Sequence, residues 1–83
     1  MANVSRFVIR NDLRTPVVLN IEPEGAFFSL GQGQEVSVTD EFTAAPVTVK
    51  LTGEPGGDPV LSIWPGDGVV RVEKGGVDVL DLA

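Results

Sequence analysis

The chain has no cysteine, no histidine and no tyrosine, and its only lysines are Lys50 and Lys74. Without cysteine there can be no disulfide, no thiolate metal site and no thiol nucleophile. Without histidine it lacks the commonest transition-metal ligand and the usual general base near neutral pH. No apolar run approaches the roughly 20 residues a membrane-spanning helix needs. The start, Met1-Ala2-Asn3-Val4-Ser5-Arg6, shows no basic segment leading into a long apolar stretch, the pattern of a secretory signal. These absences, with the cysteine-free composition that suits a reducing compartment, set the expectation of a cytoplasmic protein.

The same gaps empty most catalytic categories. Ser5, Ser29, Ser37 and Ser62 have no histidine to take a proton, and neither lysine sits in a motif that suggests activation. Glu54 and Asp58 share a glycine-rich loop, and Glu22 and Glu24 flank a turn. Acid–base work needs two carboxylates held apart with separated pKa values, whereas loop acids in an acidic chain read first as solvated. No spacing matches a dedicated calcium loop. Gly31-x-Gly33 and Gly66-x-Gly68 look like fragments of phosphate loops, but such loops lead into a helix and strand patterns follow both. The expectation is therefore a non-enzyme, with no catalytic, cofactor or metal residue assigned.

Twelve acidic and six basic residues give a formal charge of −6. Phosphate backbones are bound by Lys and Arg that displace counterions, so a nucleic-acid partner is not expected, and neither is a membrane. Arg6, Arg10 and Arg14 lie in the first fourteen residues, and most of the acid follows. Solubility explains that balance; an acidic surface turned toward a basic partner is the sharper reading.

What is present is a β pattern. The 83 residues make one domain, 1–83, and their 42% apolar fraction is enough for a packed core. Period-two alternation is interrupted by glycine or proline about every ten residues, the signature of a sandwich or small barrel. Strands are predicted at 6–10, 17–22, 26–30, 35–39, 46–52, 59–64, 69–73 and 77–82. Phe7 and Ile9, then Val17, Leu19 and Ile21, then Phe28 and Leu30 form the inward faces of the first three. Pro23-Glu24-Gly25 fits a tight hairpin, and Gly75-Gly76 a two-residue primed turn. Asp40 to Ala45 reads as a looser connection, and Gly53 to Asp58 as the plainest loop. The fold expected is a single small antiparallel β-sandwich or partly open barrel of seven to eight short strands, mostly hairpin-connected.

Several strands carry an apolar residue on the face alternation would send to water: Val8, Val18, Phe27, Val60, Val69 and Leu80. Either these cover one another or they form a second buried surface against another copy or another protein. Trp64 ends a strand, where a lone tryptophan is either a core plug or an exposed anchor. Trp64, Phe27 and Phe42 are the best candidate anchors of a binding face, because aromatics dominate interaction hot spots. A chain this short has a small core, and self-association is the stabilising device its composition leaves open.

Three segments, Ile21-Glu22-Pro23-Glu24-Gly25, Leu30-Gly31-Gln32-Gly33-Gln34-Glu35 and Ile63-Trp64-Pro65-Gly66, give the chain a pattern that resembles small uncharacterised bacterial all-β proteins. The resemblance implies a β-sandwich-like fold and carries no activity, ligand or site residue. Three functional expectations follow from the whole sequence. The first is an acidic interaction domain that binds a protein through a sheet face or an edge strand. The second is a self-assembling subunit, a homodimer or larger, and the third is a small-ligand carrier or carboxylate-based enzyme.

Overall fold

The structure, a computed structural model, describes residues 2–81. It contains eight strands: β1 (Asn3–Arg10), β2 (Val17–Ile21), β3 (Ala26–Leu30), β4 (Glu35–Phe42), β5 (Thr48–Thr52), β6 (Val60–Trp64), β7 (Val69–Lys74) and β8 (Val77–Asp78). They form two four-stranded sheets, ordered β1-β4-β7-β8 and β3-β2-β6-β5. The all-β sandwich expected from alternation is what forms, and no barrel closes.

One core lies between the sheets. Val17, Leu19 and Ile21 of β2, Leu30 of β3 and Ile63 of β6 meet Val36 and Val38 of β4, Val72 of β7 and Val79. Phe7, Ile9 and Phe28 pack at its margin, so the faces read from alternation in the first three strands are the inward ones. Strand alternation sends every second side chain to one face, and these residues keep that parity throughout.

The connections differ from the expectation. Hairpins join β2 to β3, β5 to β6 and β7 to β8. The other four links cross from one sheet to the other, so hairpins are in the minority. The crossings bring β2 and β6 together as a parallel pair inside an otherwise antiparallel fold, with Val18 opposite Val60 and Ile21 opposite Ile63. A parallel pair needs an intervening connection of a dozen residues or more, and the three strands between β2 and β6 supply it.

The four crossings run in two pairs, each tied by one polar side chain. Asn11, almost fully buried, joins the β1–β2 and β3–β4 links. Its Nδ2 donates to the carbonyls of Leu30 (2.9 Å) and Thr15 (3.0 Å), and its Oδ1 accepts from the Leu13 amide at 2.8 Å. Its backbone bonds to both Gln34 and Gly33. Asp67 joins the β4–β5 and β6–β7 links. Its carboxylate accepts from three successive amides, Thr43 (2.9 Å), Ala44 (2.7 Å) and Ala45 (3.0 Å). These backbone donors hold the Asp67 pKa below the ordinary aspartate value.

Close packing at that second pair explains the two glycines of Gly66-x-Gly68, which precede a strand and not a helix. A Cβ on Gly66 would sit 1.9 Å from the Ala45 carbonyl oxygen, and one on Gly68 would sit 1.6 Å from that of Glu41. Neither glycine has a positive φ; what they supply is space. Gly75 and Gly76, by contrast, have φ of 58° and 82°, as the expected primed turn between β7 and β8 requires.

Three segment assignments need correction. The strand expected over 77–82 stops at Asp78 and gives way to a short 3-10 helix, Val79–Asp81, while Leu82 lies outside the described residues. β4 runs on to Phe42, which makes Asp40 a strand residue on the inward face beside Val36 and Val38. Asp40 is fully buried, and its Oδ2 accepts the Val47 amide at 2.8 Å. β5 has the alternating pattern of a core strand, yet all five of its residues are exposed. It lies at the edge of its sheet, where Val49 and Leu51 have the inward parity but little of the opposite sheet above them.

Candidate interaction surface

The two sheets present outer faces of different chemistry. On the β1-β4-β7-β8 sheet the outward residues are Val4, Arg6, Val8 and Arg10 of β1, Glu35, Ser37, Thr39 and Glu41 of β4, and Val69, Arg71 and Glu73 of β7. Three arginines and three glutamates are spread over it, with Asp78 of β8 opposite Glu73, among residues that are mostly exposed. Arg6 donates from Nε to the Thr39 hydroxyl at 3.3 Å, and Arg10 pairs with Asp12 at 2.8 Å on exposed side chains. Exposed pairs of this kind contribute little to stability. This is a solvated charge mosaic, and Val8 and Val69 are isolated apolar residues within it.

The outer face of the β3-β2-β6-β5 sheet is nearly free of charge. Three rows cross it. Ser29, Val18, Val60 and Thr52 form the first, and Phe27, Asn20, Ser62 and Lys50 the second. Trp64 and Thr48 stand opposite each other in the third. Lys50 is the only charged side chain that these four strands turn outward. Its Nζ lies over the Trp64 ring, 5.9 Å from the centroid, a separation at which the cation is drawn to the ring face. Phe27 remains 65% exposed and Trp64 41%. Asn20 Oδ1, between Phe27 and Ser62 in its row, is buried without a hydrogen-bond partner among the described residues.

The structure therefore divides the eight residues singled out from the sequence. Phe27, Val18, Val60 and Trp64 share one face. Val8 and Val69 lie on the other outer face. Phe42 has the inward parity of β4 and is half-buried at its end. Leu80 belongs to the 3-10 helix, so strand alternation does not describe it, and it lines a recess with Ile21, Ile63 and Pro65. Sequence periodicity could mark each residue as outward but could not say which sheet it joined.

A second feature was not singled out from the sequence. Along the side of the sandwich next to β5, Leu13, Leu51, Leu61, Ile9, Val17 and Pro59 line a groove of about 360 Å³. Leu51 is 71% exposed at its rim. Leu13 sits in the β1–β2 link and Leu51 on an edge strand, and neither placement has a local sequence signal.

The acids weighed above for chemistry line shallow recesses: Glu54 and Asp58 beside Thr52 and Val60, Glu22 and Glu24 beside Leu80. Among the described residues, no three His, Cys, Asp or Glu side chains group closely enough to hold a metal ion. Nor is any helix long and apolar enough to cross a membrane.

No family model, curated protein or solved structure matches the chain. The functional reading rests on the geometry of its surfaces.

Proposed function

We propose that this protein is a non-enzymatic interaction domain that binds a protein partner through the outer face of the β3-β2-β6-β5 sheet, with Phe27 and Trp64 as anchors. The observation that carries the reading is the contrast between the two outer faces of one acidic molecule. Twelve acids are distributed over the chain, yet the strands of this sheet turn none of them outward. Depletion of charge and enrichment in aromatics mark the centre of protein interfaces. Val18 and Val60 supply flat apolar area in the row beside Phe27, and Asn20 and Ser62 separate that pair from Trp64. Ser29, Ser62 and the threonines supply hydrogen-bonding groups that water can satisfy until a partner arrives. The surrounding acid favours a partner whose rim is basic.

The test is capture of the partner from source cells, followed by reconstitution with the purified partner. Phe27→Ala and Trp64→Ala together should abolish the complex while leaving the circular dichroism spectrum unchanged. Val8→Ser with Val69→Ser, on the opposite face, should leave binding intact. Binding that survives the first pair and fails with the second would move the interface to the charged sheet.

A further inference from the structure

We propose that β5 pairs with β5 of a second copy of this chain, antiparallel and with Val49 on the twofold axis, so that two four-stranded sheets join into one of eight strands. Among the strands, β5 alone has every residue exposed. It hydrogen-bonds to β6 on one side only. An open edge of this kind is a template for another strand, and folded proteins ordinarily cover or block it.

The backbone shows which groups are free. The carbonyls of Pro59 and Ile63 accept from the amides of Val18 and Glu22 at 3.0 and 2.9 Å. Odd-numbered residues of β6 thus aim their backbone groups at β2, and Val60, Ser62 and Trp64 aim theirs at β5. Thr52, Lys50 and Thr48 stand opposite these three and use their backbone groups there. The N–H and C=O groups of Val49 and Leu51 are left pointing off the edge.

Side chains select the register. Directly opposed residues in an antiparallel pair interact, and like charges opposed in this way repel. Centring the pair on Lys50 would set that ammonium against its own copy, which excludes the register. Centring it on Leu51 would leave Val49 facing Gly53 of the second copy. With Val49 on the axis, Val49 exchanges both backbone bonds with its own copy and Leu51 faces Val47 of the second copy, just before β5, whose amide stays on Asp40 Oδ2. Lys50 then faces Thr48. The alternate apolar positions Val47, Val49 and Leu51 become a continuous row on the core side, and no like charges are opposed. Lys50 leans over Trp64, toward β6 and away from the free edge. The inference is independent of the partner-binding face: pairing at the edge extends that face without covering Phe27.

Sedimentation and light scattering from micromolar to millimolar concentration test it. The expected result is a concentration-dependent approach to twice the 8.8 kDa chain mass. Amide exchange at Val49 and Leu51 should slow as the dimer forms, while the amides of Lys50 and Thr52, already bonded to β6, change little. Val49→Pro removes an edge donor that the β5–β6 ladder does not use, and should weaken association by about tenfold or more. Thr48→Lys, which opposes Lys50 of the second copy twice by symmetry, should weaken it by roughly tenfold. Thr52→Lys and Phe27→Ala should leave it within about twofold. A chain that stays monomeric throughout the range overturns the proposal, as does a dimer that survives Val49→Pro. A dimer weakened by Thr52→Lys and not by Thr48→Lys overturns the register. Since Phe27→Ala reads out only the partner-binding face, failure of that reading and failure of the dimer are separable.

Discussion

Asp67 and Ala45 bond to each other in both directions. The Asp67 amide donates to the Ala45 carbonyl at 3.0 Å, and the Ala45 amide donates to Asp67 Oδ2 at 3.0 Å. With the amides of Thr43 and Ala44 on the same carboxylate, this makes Asp67 the clasp between two chain crossings. Asn11 is the corresponding clasp between the other two. A sandwich whose chain changes sheet four times depends on its links as much as on its ladders.

The Asp67 clasp should open in acid. Its three amide donors favour the charged carboxylate, so its pKa is lower folded than unfolded. The stability it contributes is fully present above the ordinary aspartate pKa and is lost as pH falls through the lowered folded value. In an NMR titration the Thr43, Ala44 and Ala45 amides should shift together, with a midpoint below the usual carboxylate range. Asp67→Asn should remove that transition and flatten the acid limb of the stability profile. A midpoint at the ordinary value would show that the clasp does not form in solution.

Asn11→Ala should destabilise by an amount in the upper part of about 1–3 kcal/mol, because it leaves the buried Leu30 carbonyl and the Leu13 amide without their partners. Asn11→Asp separates the two roles. It keeps an oxygen for the Leu13 amide but sets a carboxylate oxygen against the Leu30 and Thr15 carbonyls. Urea melts of the two variants decide the matter: if Asn11→Asp is as stable as wild type, the Nδ2 bonds contribute nothing.

Gly68→Ala should cost at least the upper end of the roughly 1–3 kcal/mol typical of overpacking. The obstacle to its Cβ is a backbone carbonyl, which cannot swing aside as a side chain can. Gly33→Ala is the contrasting case, since its φ of 80° strains any L residue although nothing stands within 4 Å. Thermal melts should show the larger loss at Gly68.

Leu19→Ala should cost about 2–5 kcal/mol, since Leu19 is fully buried on the central strand β2 with Val17 and Ile21 on the same face. Val18→Ala, one residue along and facing out, should cost much less in the same denaturation experiment. Equal losses would mean that the outward face of this sheet is also covered in solution.

How much was legible beforehand depended on the range of the interaction. Period-two alternation is local, so the strands and the inward sides of β1, β2 and β3 could be read from the residues alone. So could the Gly75-Gly76 turn, whose positive φ angles only glycine adopts without strain. The absence of cysteine and histidine removed whole classes of chemistry for the same reason, since composition requires no fold. Strand pairing is not local. Nothing in Val47-Thr48-Val49-Lys50-Leu51 distinguishes a central strand from an edge, and only the sheet order leaves β5 exposed. Asp40 looked like a loop residue because an acid after Thr39 ordinarily ends a strand. The fold buries it with Oδ2 on the Val47 amide and Oδ1 without a hydrogen-bond partner among the described residues. The partition of the outward apolar residues followed the same logic: alternation identified Val8, Val18, Phe27, Val60 and Val69 as outward, while the crossings between sheets decided that Phe27 and Trp64 share an uncharged face and that Val8 and Val69 stand alone among arginines and glutamates.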